Sequence, residues 1–306
     1  MTAGAQTTAV APPRSRTKAL SRGQGDPTQR GSWLSRTALI LVCFFWTVPT
    51  IGLLITSFRS KENATSTGWW TTLTNPFDTA WTLENYEQAI VDNDMGTAFI
   101  NSLTVSIPAT LIPIMFAAFA AYAFTFMNFR GRDFLFVVVV SLLVVPIQVA
   151  FVPMLQLFGG DGLDIVGQFV VVWLLHTGFG MPLAIYILRN YMATLPRSVI
   201  ESADIDSASH FQTFWRLIVP MSVPALAAFA IFQFLWVWND LLIALLFLGT
   251  DNPVVTVQLN QLLGRFSEGW QLIAAGAFVT MTVPLLVFFA LQRFFVRGLT
   301  AGSVKG

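Results

Sequence analysis

Long apolar runs separated by short polar segments set the pattern of this chain. Six stretches each hold the ~20 mostly apolar residues that a membrane helix requires: about 37–58, 99–124, 134–158, 164–188, 222–248 and 272–296. Pro49, Pro108, Pro113, Pro146, Pro153, Pro182, Pro224 and Pro284 fall inside or near these runs. Membrane helices tolerate such prolines, because neighbouring helices and waters satisfy the freed carbonyls. The pattern predicts an all-α membrane protein with six transmembrane helices.

Composition agrees. Of 306 residues, 55% are hydrophobic and 11% charged, about half the charged share of a soluble domain. The net charge of +1 gives no basic field for nucleic acid. The single cysteine, Cys43, lies in an apolar run and reads as a buried packing thiol. No metal-ligand cluster is visible. Orientation follows from Lys and Arg near the span ends. With six spans, the tail (Arg14, Arg16, Lys18, Arg22, Arg30, Arg36), the second connection (Arg130, Arg132), the fourth (Arg189, Arg197, Arg216) and the C-terminus (Arg293, Arg297, Lys305) share one side. Only Arg59, Lys61 and Arg265 lie on the other. Both termini are therefore expected in the cytoplasm.

Residues 1–34 read as a disordered cytoplasmic tail by composition, not a cleaved signal peptide, and 35–306 as the transmembrane domain. The large outer connection, about 59–97, holds Trp69, Trp70 and Trp81, suited to the membrane interface, and Glu62, Asp78, Glu84, Glu87, Asp92 and Asp94. It could dock a partner or simply be solvated. Gly159-Gly160-Asp161-Gly162 lacks the spacing of a calcium loop and the lysine of a phosphate loop, and reads as a tight turn.

The fourth connection, about 189–221, is the most informative, above all its stretch at about 196–221. Ser198 with Glu201, and Ser209 with Gln212, have capping-box spacing, so helices should start at Ser198 and Ser209. Asp206, Ser207 and Ala208 form the turn between them. Phe211, Phe214, Trp215 and Ile218 then share one face of the second helix. The result is an ordered projection, and ordering on this scale suggests a partner. An interfacial helix on lipid would explain the aromatic face, but not the Glu201, Asp204 and Asp206 run.

The stretch Glu201-Ser202-Ala203-x3-Ser207-x9-Leu217-x-Val219-Pro220 resembles the EAA loop of bacterial ABC importer permeases. Ser202 stands for the usual Ala and Ser207 for the usual Gly, which implies a less left-handed turn. Trp81-Thr82-Leu83-Glu84-Asn85-Tyr86, Asn101-Ser102-Leu103, Ala120-Ala121-Tyr122-Ala123-Phe124, Phe129-Arg130-Gly131-Arg132, Trp238-Asn239-Asp240 and the tail from Gly298 to Gly306 are similar to maltose-type carbohydrate permeases. The resemblance implies the type I ABC importer fold in the plasma (inner) membrane. It also implies that Glu201, Ser202, Ala203, Asp206, Ser207, Ala208 and Pro220 belong to a loop docking on an ATPase. Implied partners are a second homologous permease, two ATPase subunits and an extracytoplasmic sugar-binding lipoprotein. The chain has no phosphate-loop motif, so ATP and Mg are expected on the ATPase subunits, with no cofactor and no catalytic residue here.

An ionisable residue within a span is a functional candidate. Asp240 could line a translocation path with Asn239, Trp236 and Trp238, offering polar and aromatic surface to a hydroxyl-rich solute such as an oligosaccharide or glucoside. It could instead cap or brace neighbouring helices. His176 reads as a satisfied core histidine. Gln148, Asn101 and Gln233 are candidates for hydrogen bonds between helices. A secondary transporter would require an internal repeat and midplane ion ligands, and a membrane enzyme a convergent catalytic set; neither is evident. A polyol or other small solute remains the alternative cargo.

Overall fold

The computed structural model describes residues 33–160, 162–265 and 269–301, with side chains as far as Ala290. The tail before Trp33 and the end after Ala301 lie outside the described residues. Among them there is no strand beyond an isolated bridge between Arg59 and Trp81.

The chain divides into two compact units, Met1–Thr50 and Ile51–Gly306. Helix α1, Trp33–Ser57, begins in the first unit. There its residues are mostly apolar and mostly exposed. Cys43 is among them, so the expected buried thiol is instead a side chain on the helix surface. All other contacts below lie within Ile51–Gly306.

Four further helices are long and apolar enough to cross a membrane: α5 (Met95–Phe126), α8 (Phe169–Met192), the continuous helix His210–Trp238 and α14 (Trp270–Ala301). The sixth candidate is a bent pair, Arg132–Val144 and Ile147–Phe158, with a 95° bend. Short helices fill the connections: α2 (Lys61–Ser66), α3 (Thr71–Thr74), α4 (Glu84–Glu87), α6 (Arg132–Ser141), α7 (Phe151–Phe158), α9 (Arg197–Ile205), α10 (His210–Thr213), α11 (Val219–Trp238), α12 (Leu242–Phe247) and α13 (Val255–Arg265).

Three sequence expectations need correction. The third span is not straight: α6 passes through a 3-10 turn into Pro146, whose ψ of 124° is extended, and helix resumes only at Ile147. Proline cannot donate its amide, which ends the first segment. The fifth span does not run from 222 to 248. It starts at His210 and stops at Trp238, and α12 follows after a break at Asn239–Leu241. The fourth starts later than 164, because Asp164 (φ 50°) and Gly167 (φ 91°) hold the backbone in the left-handed region. The other prolines sit inside continuous helices, Pro108 and Pro113 in α5, Pro182 in α8 and Pro224 in α11.

The core explains the helix order. On α5, Ala109, Pro113, Ala117 and Ala121 recur every four residues and are all buried. They pair α5 with α8, where Gly180, Ala184 and Leu188 are buried in turn. Small residues allow such close approach where lipid offers no hydrophobic drive. One apolar cluster joins Val105, Phe151, Leu175, Val237 and Phe247; another joins Ala117, Leu188, Phe214 and Phe229.

The outer connection is ordered around Arg59. Its guanidinium is buried and donates to the carbonyls of Thr67 (3.1 Å) and Asn63 (2.6 Å) and to the Thr67 hydroxyl. Desolvation holds its pKa below the usual arginine value. Asn85 Nδ2 donates to the carbonyls of Ser57 (2.9 Å) and Arg59 (2.8 Å), tying α4 to the end of α1. Glu62, Asp78, Glu84, Glu87, Asp92 and Asp94 are exposed around this knot.

Candidate functional site

Two regions carry the candidate residues: the projection at 196–221 and the break after α11.

The projection begins where Pro196, with φ −61° and ψ 123°, opens α9 at Arg197. Ser198 is consequently already inside the helix. It forms no capping box with Glu201, and its carbonyl instead accepts from the Ser202 hydroxyl at 2.8 Å. The helix ends in a Schellman closure: Ser207 N–H donates to Asp204 O (3.0 Å) and Ala208 N–H to Ala203 O (2.9 Å). This closure needs a left-handed residue, and Ser207 takes it at φ 56°. The turn expected to be less left-handed is left-handed in full. Serine accepts that backbone at a cost of roughly 1–2 kcal/mol relative to glycine.

The second helix starts as expected. Ser209 Oγ accepts from Gln212 N–H (3.3 Å), and Gln212 Oε1 accepts from Ser209 N–H (3.0 Å), a complete capping box. The helix does not stop at Pro220. A π turn at Phe214–Ile218 absorbs the missing amide and feeds directly into α11, with Pro220 in its first turn.

Phe214 and Ile218 are buried, with Leu195 and Ile200 packed against their cluster, and Ala203 is buried as well. Phe214 stacks on Phe119 of α5 at 4.4 Å between ring centroids, and Tyr122 shares a 3.0 Å hydrogen bond with His210 Nδ1. Glu201, Ser202, Asp204, Asp206 and Ser207 face outward. So do Ile205, 83% exposed, and Phe211, 67% exposed. The exposed Ile205 was not singled out from sequence; a branched apolar residue in an otherwise polar helix end was the available signal.

The break after α11 is held by Asp240. Its Oδ2 accepts from Ala244 N–H at 3.0 Å, capping α12, and its carbonyl accepts from the Thr256 hydroxyl at 2.6 Å, tying the break to α13. His176 Nε2 of α8 lies 3.8 Å from Oδ2. His176 is 1% exposed and packs edge-on against Trp236 at 5.0 Å. It is a core residue, but neither ring nitrogen has a hydrogen-bond partner, so it is not satisfied as expected. Asn239 is exposed and donates to Leu235 O (2.7 Å) in its own helix. Trp238 points elsewhere. It is buried against Phe99 and Phe234 and donates to Thr280 O at 3.0 Å. The structure thus groups Trp236, Asp240 and His176 and separates Trp238 as a packing residue.

Gln233 joins three spans. Its Nε2 reaches Ala109 O of α5 (3.2 Å) and His176 O of α8 (3.3 Å) from α11. Asn101 Nδ2 similarly reaches Pro253 O at 3.0 Å. Gln148 lies exposed beside the bend at Pro146. Ile147, at that bend, and Leu241, at the break after α11, pack against one shared cluster.

Residues 113–301 match the family described as the binding-protein-dependent transport system inner membrane component. The chain is 53% identical to the osmoprotective compounds uptake permease protein GgtD of Synechocystis sp., over 88% of this chain and 90% of that one. It is 40% identical to the alpha-glucoside transport system permease protein AglG of Rhizobium meliloti, over 92% and 100%. Its fold is similar to that of a solved bacterial ABC transporter involved in the import of the polysaccharide alginate, with a TM-score of 0.68, 18% identity, and 86% and 96% of the two chains covered. With its apolar spans and this match across most of its length, the chain is a multi-pass membrane protein that belongs to the family of ABC importer permeases.

Proposed function

We propose that this chain is one of two permease subunits of an ATP-driven importer for a glucoside or oligosaccharide, and that the 196–221 projection faces the cytoplasm and docks on an ATPase subunit. The projection carries the reading. A Schellman closure, a capping box and a buried Ala203 fix its shape, while Glu201, Ile205, Asp206 and Phe211 stay exposed. A rigid surface of this kind loses little entropy on docking. ATP and Mg are assigned to the ATPase subunits, and an extracytoplasmic lipoprotein is assigned to deliver the solute. Transport runs by alternating access: closure of the ATPases moves the projection, and the spans change from inward- to outward-facing.

The path is assigned to the two interruptions, at Pro146 and at Asn239–Leu241. Irregular backbone at membrane depth is tolerated where it is buried in protein or lines a water-filled cavity. Trp236, Asn239 and Asp240 are the residues proposed to meet the solute, with Gln148 opposite. The alpha-glucoside and arabinooligosaccharide permeases among the relatives support a glycoside cargo. The relative named for osmoprotective compounds favours a second reading, in which the cargo is a small osmoprotective solute.

Two measurements test this. With Cys43 replaced by Ser, a Ser202→Cys chain should cross-link to a co-purified ATPase; absence of that cross-link refutes the docking. Competition of labelled α-glucoside uptake by osmoprotective solutes separates the two cargo readings.

A further inference from the structure

The projection is continuous with α8 on one side, through Leu195, and with α11 on the other, through the π turn. Movement of the projection reaches those two spans along the backbone. Helix α5 has no such connection, yet it packs along both of them. It meets the projection through side chains alone. Phe119 stacks on Phe214 and meets Trp215 edge-on at 5.9 Å. Tyr122 packs on Phe214 at 5.5 Å and hydrogen-bonds His210. Ring contacts can slide. Among the described residues, Tyr122–His210 is the one hydrogen bond between α5 and the projection, and it sets direction as well as distance.

The burial of the two partners is unequal. Tyr122 is 4% exposed, and its hydroxyl meets His210 in a partly buried contact. His210 is exposed and can turn to water. Breaking the bond therefore costs the more enclosed Tyr122 more than it costs His210. That asymmetry keeps α5 tied to the first residue of the helix His210–Trp238.

We propose that the Tyr122–His210 hydrogen bond passes displacement of the projection to α5, making both side chains positioning residues for coupling ATP hydrolysis to transport. This rests on the docking reading above. A transmission role requires that the two side chains act as a unit, which a double-mutant cycle measures.

The experiment uses the whole importer, purified with its partners through a tag on this chain and placed in liposomes. The readout is the ratio of ATPase activity with the solute-loaded binding protein to activity without it. Tyr122→Phe keeps the ring and removes the hydroxyl. His210→Leu removes the ring nitrogen that Tyr122 bonds, while His210→Asn keeps a polar atom near the Nδ1 position. Tyr122→Phe and His210→Leu are each expected to lower the ratio by about threefold to tenfold, the shift that loss of one hydrogen bond of ordinary net strength produces. The double variant should be no worse than the worse single, and His210→Asn should retain most of the ratio. Subunit assembly, followed by size exclusion, should be unchanged. Additive losses, or unchanged ratios in both single variants, overturn the proposal. If Glu201→Lys also leaves the ratio unchanged, the docking reading has failed; if Glu201→Lys lowers it and the pair does not, only the tie has failed.

Discussion

Gly180 and Gly178 lie on the same helix, two residues apart, and differ in what a methyl group would meet. A Cβ at Gly180 would come within 2.7 Å of Gln233 Nε2 and 2.8 Å of its Oε1. At Gly178 nothing lies within 4 Å. Alanine at 178 should therefore show only the helix-propensity gain, about 0.5–1 kcal/mol. Alanine at 180 has the same gain but displaces the Gln233 amide from Ala109 O and His176 O. Two hydrogen bonds between membrane helices contribute roughly 0.6 kcal/mol each, up to about 1.7. The displaced amide is itself buried, and leaving it unpaired costs a further ~1–3 kcal/mol. The loss outweighs the gain, so Gly180→Ala should be destabilised by roughly 1–4 kcal/mol while Gly178→Ala is neutral or stabilised. Thermal unfolding of the full chain in mild detergent, followed by tryptophan fluorescence, compares them directly. Gln233→Ala should abolish the difference between the two glycine variants by removing the clash. If Gly180→Ala melts with Gly178→Ala, the three-way contact of Gln233 is not as described.

Other outcomes follow from the same geometry. Glu201→Lys and Ala203→Asp should each reduce solute uptake at least tenfold, a loss of about 1.4 kcal/mol or more of coupling, with membrane insertion unchanged on immunoblots. Ser207→Gly relieves a left-handed serine and should slow hydrogen exchange at the Ala208 amide, by a factor corresponding to about 1 kcal/mol. Ser209→Ala removes one half of the capping box and should speed exchange at Gln212 by a similar factor. Arg59→Gln leaves three acceptors without a full set of donors and should make the 59–81 segment more sensitive to protease added from outside the cell.

The spans were legible because a run of apolar residues has no other stable use in a chain with so few charges. Their interruptions were less so. Pro146 and Pro153 look alike in sequence, yet only Pro146 sits in the bend, while Pro153 lies within the helical segment that resumes at Ile147. The start of α9 was misplaced by one residue because Pro196 sets the backbone before Ser198 can cap it. Ser209–Gln212 has the same spacing without a competing proline, and there the capping box forms. At the break after α11, the choice of Asp240 over its neighbours was legible from charge. That Trp236 shares its side and Trp238 does not depends on helix rotation, which the pattern of a span apolar all round does not reveal.

The joining of the capped helix to α11 gives that element an unusual reach. At 1.5 Å per residue, the 29 residues of His210–Trp238 form a lever roughly 40 Å long. Pivoted near His210, a tilt of only 10° would sweep Trp238 through about 7 Å, enough to reshape the Asp240 corner at the far tip.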